Sequence, residues 1–324
     1  MMKMKMWLPT IIAVLLCGAG FWYASSNDYF REQGQQEEPL FSIAASDVSG
    51  ISIKKDGEQI KIILGNDGWQ MVQPTYYPLN AYGADDWVEA FIGLNAGIVI
   101  EEHAVDIEKY GLSTPTAVYE VTKNNGDAIK LEIGAETPVS GEVYARIGGT
   151  GKVLALDSNK LTSLDKGAYY FTANEPFEYV SDRVTEMKWT WNGNTYEGIK
   201  QSDSNSQSTV QQWSINGQVI DGTDMLGWLN ELRFLSAEQL PKLVSELNEK
   251  KDSMQFSITM DKAAGGTEQD LVTKVYTGYV LDDQVWIAAE GSIWATPIAK
   301  SNFDDLQEEL DTWLTTDGSS STSE

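Results

Sequence analysis

The hydrophobic pattern of the chain changes character once, near its start. From Trp7 to Ala24 (WLPTIIAVLLCGAGFWYA) the residues run without a single charge. As a helix this run spans roughly 27 Å, close to the ~30 Å hydrocarbon core of a bilayer. Trp7 at one end and Trp22-Tyr23 at the other suit the interfacial positions that aromatic rings prefer. The pattern predicts one transmembrane helix over residues 7–24. Lys3 and Lys5 precede it, and the acidic stretch Asn27–Glu38 follows it. The positive-inside rule then leaves residues 1–6 in the cytoplasm and carries the rest of the chain across. The expected location is the cell membrane, single-pass, with the ectodomain on the extracellular side. Three alternatives fit less well. A cleaved signal peptide needs small residues just before the cut, where Trp22 and Tyr23 crowd the site. A lipidated cysteine needs a small residue before Cys17, and Leu16 stands there. A buried helix of a soluble domain would not be apolar all round.

Beyond a polar stalk (25–39) the apolar positions recur at every second residue. Ile51 and Ile53, then Ile60, Ile62 and Leu64, flank Asp56-Gly57, a dipeptide that closes hairpins. Val118–Thr122 and Ile129–Ile133 flank Asn125-Gly126 in the same way, and Trp189 and Trp191 share one strand face. Helical spacing is rarer. It predicts helices at Ala84–Ala96, Asp224–Ala237, Gln239–Glu249 and Asn302–Leu314. Hairpins with interspersed helices indicate an α+β fold of antiparallel sheet, not a parallel nucleotide-binding one.

The pattern also repeats. Val48, Trp69, Trp87 and Val143 have counterparts in Val184, Trp213, Trp228 and Val285, each 136 to 144 residues later. Glu142–Leu164 aligns with Gln284–Leu306 as strand, glycine turn, strand and short helix. We therefore expect two related modules, 40–175 and 176–314, followed by a disordered Ser/Thr-rich tail at 315–324. Trp69, Trp87, Trp213 and Trp228 are the expected core anchors. Tyr76-Tyr77, Trp286 and Trp294 are the candidates for lining a groove that takes a glycan or peptide.

Composition narrows the functional classes. With 42% hydrophobic residues, 11 Trp and 14 Tyr, the chain is too apolar for disorder. Its formal net charge of −25 repels phosphate backbones, which argues against nucleic-acid binding. The one cysteine, Cys17, lies in the apolar segment, so nothing after it can form a disulfide.

Candidate chemistry is sparse. His103 is the sole histidine, too few for a histidine zinc site, and no G-x-S-x-G nucleophile motif accompanies it. In RIGGTGKVLAL (Arg146–Leu156) a phosphate loop would need glycine in place of Arg146 and Ser or Thr in place of Val153; a hairpin turn explains the glycines. Ser52–Lys55 and Ser163–Lys166 match S-x-x-K without its companion motifs. Glu101-Glu102, Asp304-Asp305 and Glu308-Glu309 offer calcium ligands outside any calcium-loop pattern. No catalytic, cofactor-binding or metal-ligating residue is assigned, no cofactor is implied, and the chain is read as not an enzyme.

GWQMVQP (Gly68–Pro74), ADDWVEAFIGLNAGIVIEE, YGLSTPTAVYEV (Tyr110–Val121) and LEIGAETPVSGEVYARI follow one another. In this order they resemble the DUF4340 family. There, a G-W-x-[LM]-x-x-P strand precedes a helix ending in small residues, then Y-G-L-x-x-P and I-G-x-x-T-P turns. The resemblance covers mainly residues 68–170, and the second copy after residue 184 lacks both turn motifs. Gly111 and Gly134 read as turn conformations and Pro115 and Pro138 as helix stops. The resemblance implies a singly anchored extracytoplasmic accessory protein, associated with ABC-type or gliding-type transporter components, with no known activity, cofactor or binding residues. The leading expectation is a non-enzymatic accessory or interaction subunit, with ABC-2-type transporter subunits as partners. The second is an envelope module binding a glycan, peptide or cation, and the third a cell-wall hydrolase.

Overall fold

Asp56 and Gly57 both take positive φ, 52° and 82°, and fold β1 (Val48–Lys55) onto β2 (Glu58–Gly65) through a two-residue turn. Asn192 and Gly193, at 47° and 82°, do the same for β9 (Val184–Trp191) and β10 (Asn194–Lys200). Asn125-Gly126 differs: only Gly126 has positive φ, and a four-residue loop joins β5 (Ala117–Lys123) to β6 (Ala128–Glu136). The computed structural model describes residues 38–201, 211–247, 251–262 and 270–316. The expected cytoplasmic segment, the 7–24 helix, most of the stalk and most of the tail lie outside these residues. Among the described residues no helix is long and apolar enough to cross a membrane.

The remaining strands are β3 (Gly68–Gln73), β4 (Ile98–Glu101), β7 (Glu142–Ile147), β8 (Val153–Asp157), β11 (Gln212–Ile215), β12 (Gln218–Asp221), β13 (Lys242–Leu243), β14 (Lys251–Asp261), β15 (Leu271–Leu281), β16 (Gln284–Ala289) and β17 (Trp294–Ala299). They form two antiparallel sheets. The first runs β3-β2-β1-β5-β6-β7-β8-β4, the second β12-β11-β10-β9-β14-β15-β16-β17-β13. With β12 set aside, the two orders coincide strand for strand.

Helices cover one face of each sheet. α1 (Gly83–Ile92) buries Ala84, Trp87, Val88 and Phe91, the i, i+3, i+4, i+7 stripe of an amphipathic helix. It stops short of the predicted Ala96 because residues 94–96 bond to the incoming chain instead: Leu40 N donates to Leu94 O and Ala96 N to Glu38 O, both at 2.7 Å. The short α2 (Ser158–Leu161) and α3 (Ala168–Phe171) complete that layer. On the second sheet lie α4 (Gly222–Arg233) and α5 (Lys300–Thr316). Asp221 caps α4, its side chain accepting from Thr223 N at 2.7 Å.

Three expectations need correction. Gln239–Glu249 is not a helix as far as it is described. Lys242 and Leu243 pair with Ala295 and Trp294 at the sheet edge, and Val244–Glu246 is a single 3-10 turn. Pro241 cannot donate a helical hydrogen bond and disfavours a helical Leu240. Trp69 is not a core anchor. It stands on edge strand β3, half-buried, and its Nε1 donates to Asp85 Oδ1 at 2.7 Å, tying down the first turn of α1. Trp87, Trp213 and Trp228 are buried.

The third correction concerns the glycine and proline turns. Gly111 has φ 70° and ends a 3-10 helix, as a turn glycine should. Gly134, however, is extended within β6; a Cβ there would stand 2.1 Å from Tyr110 O, so close backbone approach is what excludes a side chain. Pro115 and Pro138 stop no α-helix; they precede β5 and lie in the β6–β7 loop. Tyr110 and Leu112 pack with Val153 on the face of the first sheet away from α1. Leu247, Trp286 and Ala295 form a small cluster of their own in the second half of the chain.

Candidate functional site

The two sheets meet where the chain passes from α3 to β9, and the meeting is closely bonded. Asn80 N donates to Phe171 O at 2.9 Å and Ala173 N to Pro78 O at 2.8 Å, fixing the connecting segment to the first half. One residue further, Ala237 N donates to Asn174 O at 2.8 Å, fixing it to the second. Tyr169 reaches across as well: its hydroxyl donates to Ala237 O and accepts from Asn174 Nδ2 at 3.1 Å. The rings of Tyr77 and Trp294 pack with centroids 5.2 Å apart at 52°.

Beside this junction lies a cleft of about 400 Å³, the location where ligand sites preferentially occur. Strands β15, β16 and β17 supply one wall; the segment Ala173–Glu178 and Pro78 supply the other. Strand alternation decides what faces it. Ile287 pairs with Thr296, so the two share a sheet face, and Ile287 belongs to the helix-side core while Ala295 belongs to the opposite one. Thr296 is thus turned to the cleft side. It is 8% exposed, and among the described residues its hydroxyl has no hydrogen-bond partner.

Charge in the cleft is predominantly negative. Glu175, Glu178 and Glu290 line it against one cation, Lys274. Arg233 Nη1 holds Glu175 at 2.7 Å, and Lys274 Nζ holds Glu178 at 3.4 Å. Glu290 has no ion pair among the described residues. Tyr276 lies at the bottom, its hydroxyl accepting from Glu178 N at 3.0 Å and donating to Glu178 O at 3.3 Å. Burial pushes its pKa up to about 12, so it stays a neutral phenol and is not a base near neutral pH.

Of the aromatics singled out from sequence, Tyr77 and Trp294 do meet at the cleft's edge. Tyr76 is exposed outside it. Trp286 does not line it at all: it is buried beside Leu247 and Ala295, with the Lys242 ammonium 4.6 Å from its ring centre. The remaining candidates have structural occupations. His103 is exposed in a loop. Lys55 pairs with Asp165, and the glycines of 146–156 form the β7–β8 hairpin. Glu101 accepts from Tyr110 Oη at 2.7 Å and Lys109 Nζ at 3.0 Å; these two bonds, the tyrosine's first, hold its carboxyl below the usual range and raise Lys109. Asp304 accepts from Trp191 Nε1 at 3.0 Å and Asn192 Nδ2 at 3.1 Å and pairs with Lys300. Among the described residues no group of three or more His, Cys, Asp or Glu is placed to hold a metal.

Thr296, Glu178 and Glu290 escaped the sequence reading. The available signal was Thr296 itself, a polar residue on the inward phase of the apolar strand WATPIA.

The family described as "Domain of unknown function (DUF4340)" matches residues 69–255, more than half of the chain. The match runs from β3 into β14 and so takes in strands of both sheets. No curated protein matches the chain.

Proposed function

The chain belongs to the DUF4340 family, and from that premise we propose that it is a non-enzymatic accessory subunit, anchored in the membrane by residues 7–24, whose extracytoplasmic body engages a partner, in the first instance subunits of an ABC-2-type transporter. Residues 40–175 and 176–314 act in this view as two copies of one module. One observation carries the proposal. The cleft where the two sheets meet offers recognition groups, an aromatic pair at its edge and an acidic wall, and its one deep titratable group, Tyr276, is held neutral. Shifted groups elsewhere, Glu101 and Asp304, are held by partners that tie elements together.

The test has two parts. Protease added to intact cells should digest the body of the chain. Tagged full-length protein in neutral detergent should co-purify with permease subunits of a transporter. A body protected until lysis, or a chain recovered alone, would refute the proposal. A second reading, an envelope module for a small ligand, is favoured by the same Trp294–Tyr77 edge. It predicts that a soluble sugar or peptide raises the melting temperature without any co-purifying protein.

A further inference from the structure

Taking the chain as an interaction subunit, as above, we infer that the cleft between the two sheets receives a lysine or arginine side chain presented by an extended segment of the partner. Charge excludes the opposite kind of ligand. Three carboxylates against one ammonium leave the lining negative, within a chain whose net charge is −25, so phosphate, sulfate or an acidic peptide is repelled. The carboxylates are also not equivalent. Glu175 and Glu178 are neutralised by Arg233 and Lys274. Glu290 is left with no ion pair among the described residues, and it lies on the wall beside Trp294.

Shape and polarity agree with a long cationic side chain. At about 400 Å³ the cleft is at the small end of ligand sites, roughly 300–1,000 Å³, enough for one or two side chains and too small for a folded domain. Val275, Ile287 and Pro176 give the methylene stem an apolar path. Trp294 and Tyr77 present ring faces for a cation. The hydroxyl of Thr296, buried and without a partner among the described residues, supplies an acceptor for a donor that arrives with the ligand, which relieves the cost of leaving it unsatisfied. A neutral sugar could use the rings and the hydroxyl, but it would leave the unpaired Glu290 charge uncompensated.

Full-length protein in neutral detergent is titrated calorimetrically with three probes: triarginine amide, triglutamate amide and the neutral disaccharide maltose. Triarginine should bind, with affinity that falls as salt rises. Glu290→Gln should weaken it about tenfold, the order expected for a lost charged hydrogen bond, and Thr296→Val by a smaller factor. Both variants should keep the parent melting temperature within a few degrees. Glu246→Gln, a carboxylate outside the cleft, should change nothing. Absence of triarginine binding, equal binding by Glu290→Gln, or preference for maltose overturns the inference. The two proposals fail separately. Co-purification of a transporter that survives Glu290→Gln and Trp294→Ala removes the cleft inference and leaves the accessory role standing. Triarginine binding with no membrane partner recovered supports the cleft inference and counts against the accessory role.

Discussion

Trp87 donates its indole N–H to the carbonyl of Leu164, 2.9 Å away and 77 residues along the chain. Trp228 makes the same bond to Leu306 at 3.0 Å, across 78 residues. In each half a helix is thereby pinned to the element that follows the last long hairpin, α1 to the end of α2 and α4 to α5. Both indoles are buried, so each bond is made where water cannot replace it, and losing it strands a carbonyl.

A third indole lacks such a partner. Trp189 is fully buried between Tyr196 and Trp228, and among the described residues its Nε1 finds no acceptor. Trp→Phe should therefore cost more at Trp228 than at Trp189, by about 1 kcal/mol, because only the former also breaks a hydrogen bond. Urea unfolding of the two variants checks this; equal losses would refute it.

Two glycines separate space from flexibility. Gly134→Ala forces a Cβ to within 2.1 Å of Tyr110 O and should cost more than about 2 kcal/mol. Gly227 lies inside α4, where an added Cβ would meet nothing within 4 Å. Gly227→Ala should instead stabilise by about 0.5–1 kcal/mol. Melting temperatures moving in opposite directions are the expected result.

Asp304 makes the attachment of α5 acid-sensitive. Burial alone would raise its pKa, but bonds from Lys300, Trp191 and Asn192 outweigh this and hold the carboxyl below its ordinary value. Its contribution is fully present above the unfolded value of about 3.9 and is lost as pH falls through the lower folded value. Asp304→Asn should lower the melting temperature at neutral pH, with the difference from the parent shrinking in strong acid.

Glu309 runs the other way. Burial first, then the charges of Glu231 and Asp224 on α4, raise its pKa. The ionised form is thus a liability above the raised folded value, and protonation relieves it as pH falls. Glu309→Gln should raise the melting temperature at pH 7, and the gain should vanish below about pH 4, the ordinary glutamate range. A gain independent of pH would disprove the electrostatic account.

Local chemistry made the hairpins legible. Asp56-Gly57 and Asn192-Gly193 determine their own turns through φ, and Ile51, Ile53, Ile60 and Ile62 bury on one face as alternation requires. Leu64, next in phase, lies past the core and is 45% exposed. Long-range competition defeated the rest. Leu240, Leu243, Val244 and Leu247 have helical spacing, yet the backbone of this stretch is claimed by the distant β17 and the residue before it, Val244 N donating to Ile293 O at 2.8 Å. The cleft was illegible for the same reason. Pro78, the 173–178 segment and β15–β17 come together only through the pairing of whole sheets, so no window of sequence contains the site. Tyr77 and Trp294 were visible as aromatics, but not their meeting.

The segment joining the halves has its neighbouring residues committed in opposite directions, Ala173 to Pro78 and Asn174 to Ala237. Such a splice leaves no slack to take up. A tug or twist delivered at one end of the protein therefore reaches the other as the turning of a stiff lever, and any occupant wedged between the halves would add its own torque at the fulcrum.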